Sequence, residues 1–231
     1  MLSPEEWQAV ALSLRVALWA TVISLPLATL VAFALVRWRF PGRALVNGLV
    51  HLPLVLPPVV TGYLLLMAFG RRGPIGALLD EWFGVTLAFR WTGAVLAAGI
   101  MGFPLVVRAI RLALEAVDPR LEDAAATLGA GRVRVFATVT LPLIAPGLLA
   151  GAVLGFAKAM GEFGATITFV SNIPGQTQTL PSAIYAFLQL PGGEAGALRL
   201  VAIAVAVSMG ALILSEWLSR RVARRIGGLD A

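Results

Sequence analysis

Uncharged apolar runs divide most of this chain into segments long enough to cross a lipid bilayer. A helix rises about 1.5 Å per residue, so roughly 20 residues cross the hydrocarbon core. With their flanks, the runs predict five transmembrane helices, over residues 10–36, 44–70, 91–112, 135–160 and 198–218. The predicted fold class is therefore an all-α integral membrane protein, with residues 1–231 forming one transmembrane domain.

A sixth uncharged stretch, within residues 161–197, differs from the other five because it is polar. It carries several amides and hydroxyls and is interrupted by Pro174 and Pro181. Exposing such a run to lipid is costly, since its polar groups would lack partners there. We interpret 161–197 as a loop outside the membrane that contains a short helix near Pro181–Leu190.

Composition excludes most soluble classes of protein. Hydrophobic residues make up 59% of the 231 residues and charged residues only 13%. A soluble domain of this size would leave much of that apolar surface exposed. The chain has no cysteine, so it has no disulfide framework and no thiolate metal site, and we expect no other metal site. The acidic start, MLSPEEW, lacks the basic region of a signal peptide, so we expect the first span to be retained.

Basic residues indicate the orientation of the spans. The net charge of +6 would suggest nucleic acid for a soluble protein, but here the arginines lie at the ends of apolar runs, so we expect no nucleic-acid partner. Segments 37–43, 108–134 and 216–231 hold 12 basic residues, whereas 1–15, 71–90 and 158–199 hold 6. Because cytoplasmic segments are richer in Lys and Arg, the N-terminus is expected outside and the C-terminus in the cytoplasm.

The segment between the third and fourth spans predicts a short amphipathic helix. Asp118 can cap it, Pro119 suits its first position, and Gly129 or Gly131 can end it. Its apolar face follows i, i+3, i+4, i+7 spacing through Leu121, Ala124, Ala125 and Leu128. A helix of about ten residues is marginal alone, so it needs a protein surface. That surface is either the chain's own membrane domain or a groove on a cytoplasmic partner.

The same segment resembles the EAA loop of ABC importer permeases of type I. The match comprises Asp123-Ala124-Ala125, then Gly129, then Val139-Thr140-Leu141-Pro142, with Asp for Glu at 123 and Val for Ile at 139. The resemblance implies that 116–134 is a cytoplasmic coupling loop that docks into a cleft of an ATP-hydrolysing subunit. It implies that the coupling residues are Leu121, Glu122, Asp123, Ala124, Ala125, Leu128 and Gly129.

ATP is expected to be bound and hydrolysed by that partner subunit. The chain contains no G-x-x-x-x-G-K-[ST] loop, and its one lysine, Lys158, lies in GFAKAMGE. We therefore expect a permease subunit with no catalytic residues and no bound cofactor.

Longer matches narrow the resemblance. HLPLVLPPVVTGYLLL, RAIRLALEAVD, TLGAGRVRVF and GEFGATITFVSNIPGQT look like the molybdate permease subunit of bacterial ABC importers, and sulfate permeases share parts of this set. The resemblance implies a homodimer in the lipid of the bacterial inner membrane, two cytoplasmic ATPases and a periplasmic molybdate-binding protein. Tungstate and sulfate remain alternatives, because molybdate and tungstate have nearly equal size and an external protein would select against sulfate.

A pathway for the oxyanion is predicted where polar groups and helix breaks coincide. Pro53, Pro57 and Pro58 interrupt the second span, which is tolerated beside protein or a water-filled cavity. Neutral hydroxyl and amide donors suit a conduit, which must also release its anion. The candidate path and gate residues are Thr61, Glu162, Phe163, Gly164, Thr166, Thr168, Ser171 and Asn172. Glu162 either pairs with Lys158 or shapes the gate.

Glycines at four-residue spacing mark the fourth span. Gly147, Gly151 and Gly155 form a smooth stripe that lets another helix approach closely, so we expect helix packing there more than pore lining.

Two other classes of function fit the sequence less well. An ion-coupled transporter or a stand-alone channel usually carries ionisable residues within its spans, which the long uncharged runs disfavour. An intramembrane enzyme needs a catalytic constellation, and one histidine with no cysteine makes it remote.

Overall fold

The computed structural model describes residues 2–227, and this part of the chain is almost entirely helical, without strands. A turn of π-helix, Phe136–Thr140, connects two helical segments, Arg132–Val135 and Leu141–Met160. The helices are α1 (Pro4–Arg37), α2 (Arg43–Val55), α3 (Pro58–Phe69), α4 (Pro74–Phe83), α5 (Trp91–Ala116), α6 (Pro119–Thr127), α7 (Arg132–Val135), α8 (Leu141–Met160), α9 (Gly164–Val170), α10 (Leu180–Leu188) and α11 (Glu194–Gly227). The predicted all-α class is confirmed.

Within residues 2–227, four segments are long and apolar enough to cross a membrane as single helices. They are α1, α5, the continuous stretch Arg132–Met160, and Glu194–Leu218 of α11. The pair α2 and α3 passes the same test together but is bent by 116°. Counting that pair as one crossing gives five, which is the number that the sequence predicts.

Two consecutive prolines cause the bend between α2 and α3. A residue before proline avoids helical backbone angles, and both Leu56 (ψ 142°) and Pro57 (ψ 134°) are extended. Pro58 then starts α3, where its missing N–H costs nothing. The sequence predicts one interrupted span over 44–70, whereas the structure has two helices that run in different directions.

Helices α1, α5 and α8 form the centre of the molecule and pack through small side chains. Ala17 and Ala20 of α1 and Ala97 and Ala98 of α5 are all buried. Small residues let helix backbones approach closely, which drives packing where the hydrophobic effect is weak. A second buried cluster around Leu35, Ile110, Leu114 and Ile144 continues the core toward the end of α5.

The segment 161–197 folds back into the molecule. It holds two helices, α9 and α10, where the sequence predicts one, and Phe169 and Val170 at the end of α9 are fully buried. The hydroxyl of Ser13 in α1 accepts the backbone N–H of Leu180 at 2.6 Å, which fixes the start of α10. The uncharged run GATITFV thus forms a buried helix of only seven residues, too short to be recognised from periodicity.

Candidate functional site

The first predicted site is α6 with the glycine-containing turn that follows it. The side chain of Asp118 accepts the N–H of Arg120 at 3.0 Å, and Pro119 occupies the first helical position. Gly129 ends the helix with φ of +85°, a left-handed conformation that favours glycine. The helix predicted after Asp118 is therefore present, with the cap that the sequence indicates.

Helix α6 lies on the surface of the chain. None of its residues is buried, and the apolar side chains of Leu121 and Leu128 are 49% and 89% exposed. Val133, one turn further along the chain, is 83% exposed. Such a concentration of exposed apolar side chains on a polar surface is typical of a protein-interaction site.

Glu122 is the member of α6 that points back toward its own chain. Its Oε1 accepts hydrogen bonds from Nη2 of Arg37 at 3.2 Å and from the hydroxyl of Thr140 at 2.7 Å. Its Oε2 lies 3.1 Å from Nε of Arg37. Both charged side chains are only 18% exposed. We call these three residues the α6 latch, because they join α6 to the end of α1 and the start of α8.

The π-helical turn carries Thr140 into the latch. The N–H of Leu141 donates to the carbonyl of Phe136, five residues earlier, and the next residue, Pro142, has no N–H to donate. A π-turn is rare and occurs often at functional sites. Residues 139–142, which match the motif found in the sequence, therefore span the end of this turn and the first two residues of α8.

The glycine stripe of α8 faces α5. A Cβ atom on Gly155 would lie 2.8 Å from a methyl group of Val106, and one on Gly147 would collide with Ala113. Gly151 lies almost as close to Val106. The stripe thus supplies the close helix contact for which such spacing is suited.

The second predicted site lies where α3 meets α9, and we call it the α3–α9 junction. A Cβ on Gly62 would lie 2.5 Å from the carbonyl oxygen of Ala165, and one on Gly164 would lie 2.7 Å from Cβ of Pro58. Each helix therefore presents a glycine to the backbone of the other. Thr61, beside Gly62, is buried, and within residues 2–227 its hydroxyl oxygen has no hydrogen-bond partner.

Glu162, two residues before the start of α9, places a buried carboxylate at the junction. Lys158 Nζ donates to its Oε2 at 2.7 Å, and the N–H of Ala165 donates to Oε1 at 3.0 Å. Its side chain is 1% exposed, against 29% for Lys158. Glu162 therefore makes the i, i+4 pair predicted from the sequence and also caps α9.

The other candidate path residues are spread around α9. The hydroxyls of Thr166 and Thr168 donate to the carbonyls of Phe163 and Gly164 at 2.9 Å, so in this conformation their hydrogens are not available to an anion. The ring of Phe163 lies 5.3 Å from that of Tyr185 in α10, measured between centroids.

Two residues just beyond α9 are under unusual constraint. Ser171 has φ of +66° and ψ of −164°, a backbone region that is nearly restricted to glycine. Oδ1 of Asn172 is buried and finds no hydrogen-bond partner among the described residues. Strained residues of this kind concentrate at functional sites, so we keep both as candidates.

Residues 2–227 contain no group of three or more metal-ligating side chains.

A family model described as the binding-protein-dependent transport system inner membrane component matches residues 24–226. The chain belongs to this family. It is therefore a multi-pass inner membrane protein and a transport permease.

Two relatives and one solved structure show which members of this family the chain is similar to. The chain is 61% identical to the molybdenum transport system permease protein ModB of Escherichia coli over 227 residues, covering 98% of this chain and 99% of that one. It is 34% identical to the sulfate transport system permease protein CysT of Salmonella typhimurium, covering 98% and 81%. A chain of the crystal structure of a bacterial alginate ABC transporter matches with a TM-score of 0.75 at 18% identity, covering 95% and 80%, which shows the shared fold.

The sequence did not reveal which residues of the same chain contact the predicted site residues. Arg37 is 85 residues from Glu122, and no local pattern indicates that they meet. Similarly, nothing in the spacing shows that Gly62 faces Ala165. By contrast, the pair Lys158 and Glu162 is separated by one helical turn, which made it predictable.

Proposed function

We propose that this chain is the membrane subunit of an ATP-driven molybdate importer. Two copies form one pathway, a periplasmic binding protein delivers the oxyanion, and two cytoplasmic ATPase subunits each hold one α6. The observation that carries this proposal is the full-length, 61% identity with a molybdenum permease, nearly twice the identity with a sulfate permease.

Exposure and attachment of α6 support its role in coupling. Leu121 and Leu128 offer an apolar surface to an ATPase, while Glu122 holds the helix to α1 and α8. A force applied to α6 is then transmitted through the α6 latch to two membrane helices. Among the coupling residues, Glu122 therefore has a different task from the exposed ones, Leu121, Asp123, Ala124, Leu128 and Gly129.

The α3–α9 junction is our candidate for the gate. Its helices touch through backbone and glycine, so a small rigid-body displacement would separate them without rearranging large side chains. Thr61 is the strongest candidate for contact with the anion, because its hydroxyl has no partner in the described part of the chain, whereas the hydroxyls of Thr166 and Thr168 already donate to carbonyls. A neutral donor can bind a dianion weakly enough to release it.

Docking is tested by co-purification with a candidate ATPase encoded for the same importer, using Gly129→Asp. The change adds a charge and a side chain at an exposed position with φ of +85°. Gly42→Asp is the matched control, since Gly42 has φ of +83° and is equally open, so the backbone strain is the same.

We expect Gly129→Asp to abolish ATPase binding and the stimulation of ATP hydrolysis, and Gly42→Asp to retain both. If both variants bind the ATPase as the wild type does, α6 is not the docking element. The substrate is tested separately, by measuring how strongly tungstate and sulfate inhibit molybdate uptake by the intact importer.

A further inference from the structure

A deep apolar groove lies between α1, α2 and α5, away from both sites described above. Its volume is about 750 Å³, and its walls are almost wholly hydrocarbon. Ser24 and Thr92 contribute hydroxyl groups to the lining. The larger wall side chains are Trp19, Leu27, Leu49, Trp91, Leu96 and Phe103.

The groove has the length of one membrane leaflet. Its α5 wall runs from Trp91 to Phe103, which at 1.5 Å per residue is about 18 Å. Half of the hydrocarbon core is about 15 Å. A single extended acyl chain fits this length, whereas a compact solute would leave most of the groove empty.

One end of the groove is cationic. The guanidinium carbon of Arg15 lies 3.7 Å from the centre of the Trp91 ring, and Arg90 precedes Trp91 as an exposed residue. Neither arginine forms an ion pair with a carboxylate within residues 2–227. Tryptophan and arginine together at the end of an apolar run are typical of the headgroup level of a bilayer. A phosphate group placed beside Trp91 would meet the charge of Arg15, and Arg90 is the adjacent residue in the chain.

We propose that this groove is a binding site for one anionic phospholipid. An acyl chain occupies the groove between α1, α2 and α5, and the headgroup phosphate contacts Arg15 and Arg90. The occupant has to carry a negative group directly beside a long apolar tail, because the groove combines a cationic end with a hydrocarbon wall. Under the predicted orientation this is a lipid of the outer leaflet.

The experiment uses the purified full-length chain in mild detergent, with phosphatidylglycerol added and bound lipid counted by native mass spectrometry. Diacylglycerol, which has the same tails and no phosphate, is the matched ligand. Arg15→Gln and Arg90→Gln test the headgroup contact, with the exposed outer Arg72→Gln as control. Leu49→Trp fills the groove from α2, and Leu45→Trp, on the same helix but outside the lining, is its control.

We expect the wild type to retain phosphatidylglycerol but not diacylglycerol. Each arginine substitution should reduce retention about fivefold, Leu49→Trp should reduce it at least as much, and both controls should retain it. Equal retention by Leu49→Trp and Leu45→Trp would overturn the proposal.

A second measurement separates lipid from a second copy of the chain. The chain has no cysteine, so Leu49→Cys gives a single thiol. Disulfide-linked dimers on oxidation of native membranes would show that another copy fills the groove and would contradict a lipid. Absence of dimers together with lipid retention agrees with the proposal.

Discussion

Helix α6 and the α3–α9 junction both carry residues predicted to be functional, yet they are built in opposite ways. No residue of α6 is buried, and its one strong attachment to the chain is the polar α6 latch. At the junction, Thr61, Gly62, Glu162 and Ala165 are buried, and glycines bring the two backbones into contact.

Under the proposed function, this difference separates a surface that binds another protein from a contact made within one chain. Apolar side chains that stay exposed, as Leu128 does, are stabilised only when a partner covers them. Backbones in direct contact are sensitive to the smallest added atom. Substitutions at the junction should therefore lower the stability of the chain, whereas substitutions on α6 should mainly alter its binding to and coupling with a partner.

The largest loss of stability is expected from Lys158→Met. This change leaves the carboxylate of Glu162 buried without its counter-ion, which should lower the free energy of unfolding by about 3 kcal/mol. Denaturant unfolding in detergent measures it. Glu115→Gln breaks an exposed pair of the same i, i+4 spacing and should cost about 0.5 kcal/mol or less. Equal effects of the two changes would show that the burial of Glu162 contributes nothing.

Gly62→Ala should come next. Its methyl group would lie 2.5 Å from the carbonyl oxygen of Ala165, so α3 and α9 must separate, at a cost of about 1–3 kcal/mol. Gly48→Ala is the control, because Gly48 lies within α2 with open space around it, where alanine favours the helix. The same unfolding assay applies. Unchanged stability of Gly62→Ala would mean that the junction is not closely packed.

Among the three site substitutions, Lys158→Met, Gly62→Ala and Glu122→Gln, the smallest loss of stability is expected from Glu122→Gln. The amide keeps its carbonyl oxygen as an acceptor for Thr140 but loses the charge opposite Arg37, so the cost should be about 1 kcal/mol. The functional effect should be larger, because a loosened α6 transmits less of the ATPase movement. We expect more ATP hydrolysed per molybdate transported, with Glu81→Gln as an exposed acidic control. An unchanged ratio would contradict a transmitting role for the α6 latch.

Local features of the fold could be predicted from the sequence. The cap at Asp118, the helix end at Gly129 and the pair of Lys158 with Glu162 each depend on residues within about one turn of helix. The break between α2 and α3 follows from Pro57 and Pro58 for the same reason. Local steric and hydrogen-bonding rules suffice for these features.

Features that join distant parts of the chain could not be predicted in this way. The direction that α3 takes after the break, the burial of α9 and the contact of Arg37 with Glu122 depend on how helices pack in three dimensions. A glycine at 62 signals a close approach but not the identity of its neighbour, which is Ala165. The glycine stripe on α8 had the same ambiguity, since spacing alone does not name α5 as its partner.

The most direct test of the central claim, that a separate ATPase drives this permease through α6, is molybdate accumulation in sealed vesicles. The chain is reconstituted alone or together with the ATPase and binding protein of its importer, and internal molybdate is measured with and without ATP. We predict accumulation against a gradient only when all three proteins and ATP are present. Uphill accumulation by the chain alone would contradict the account.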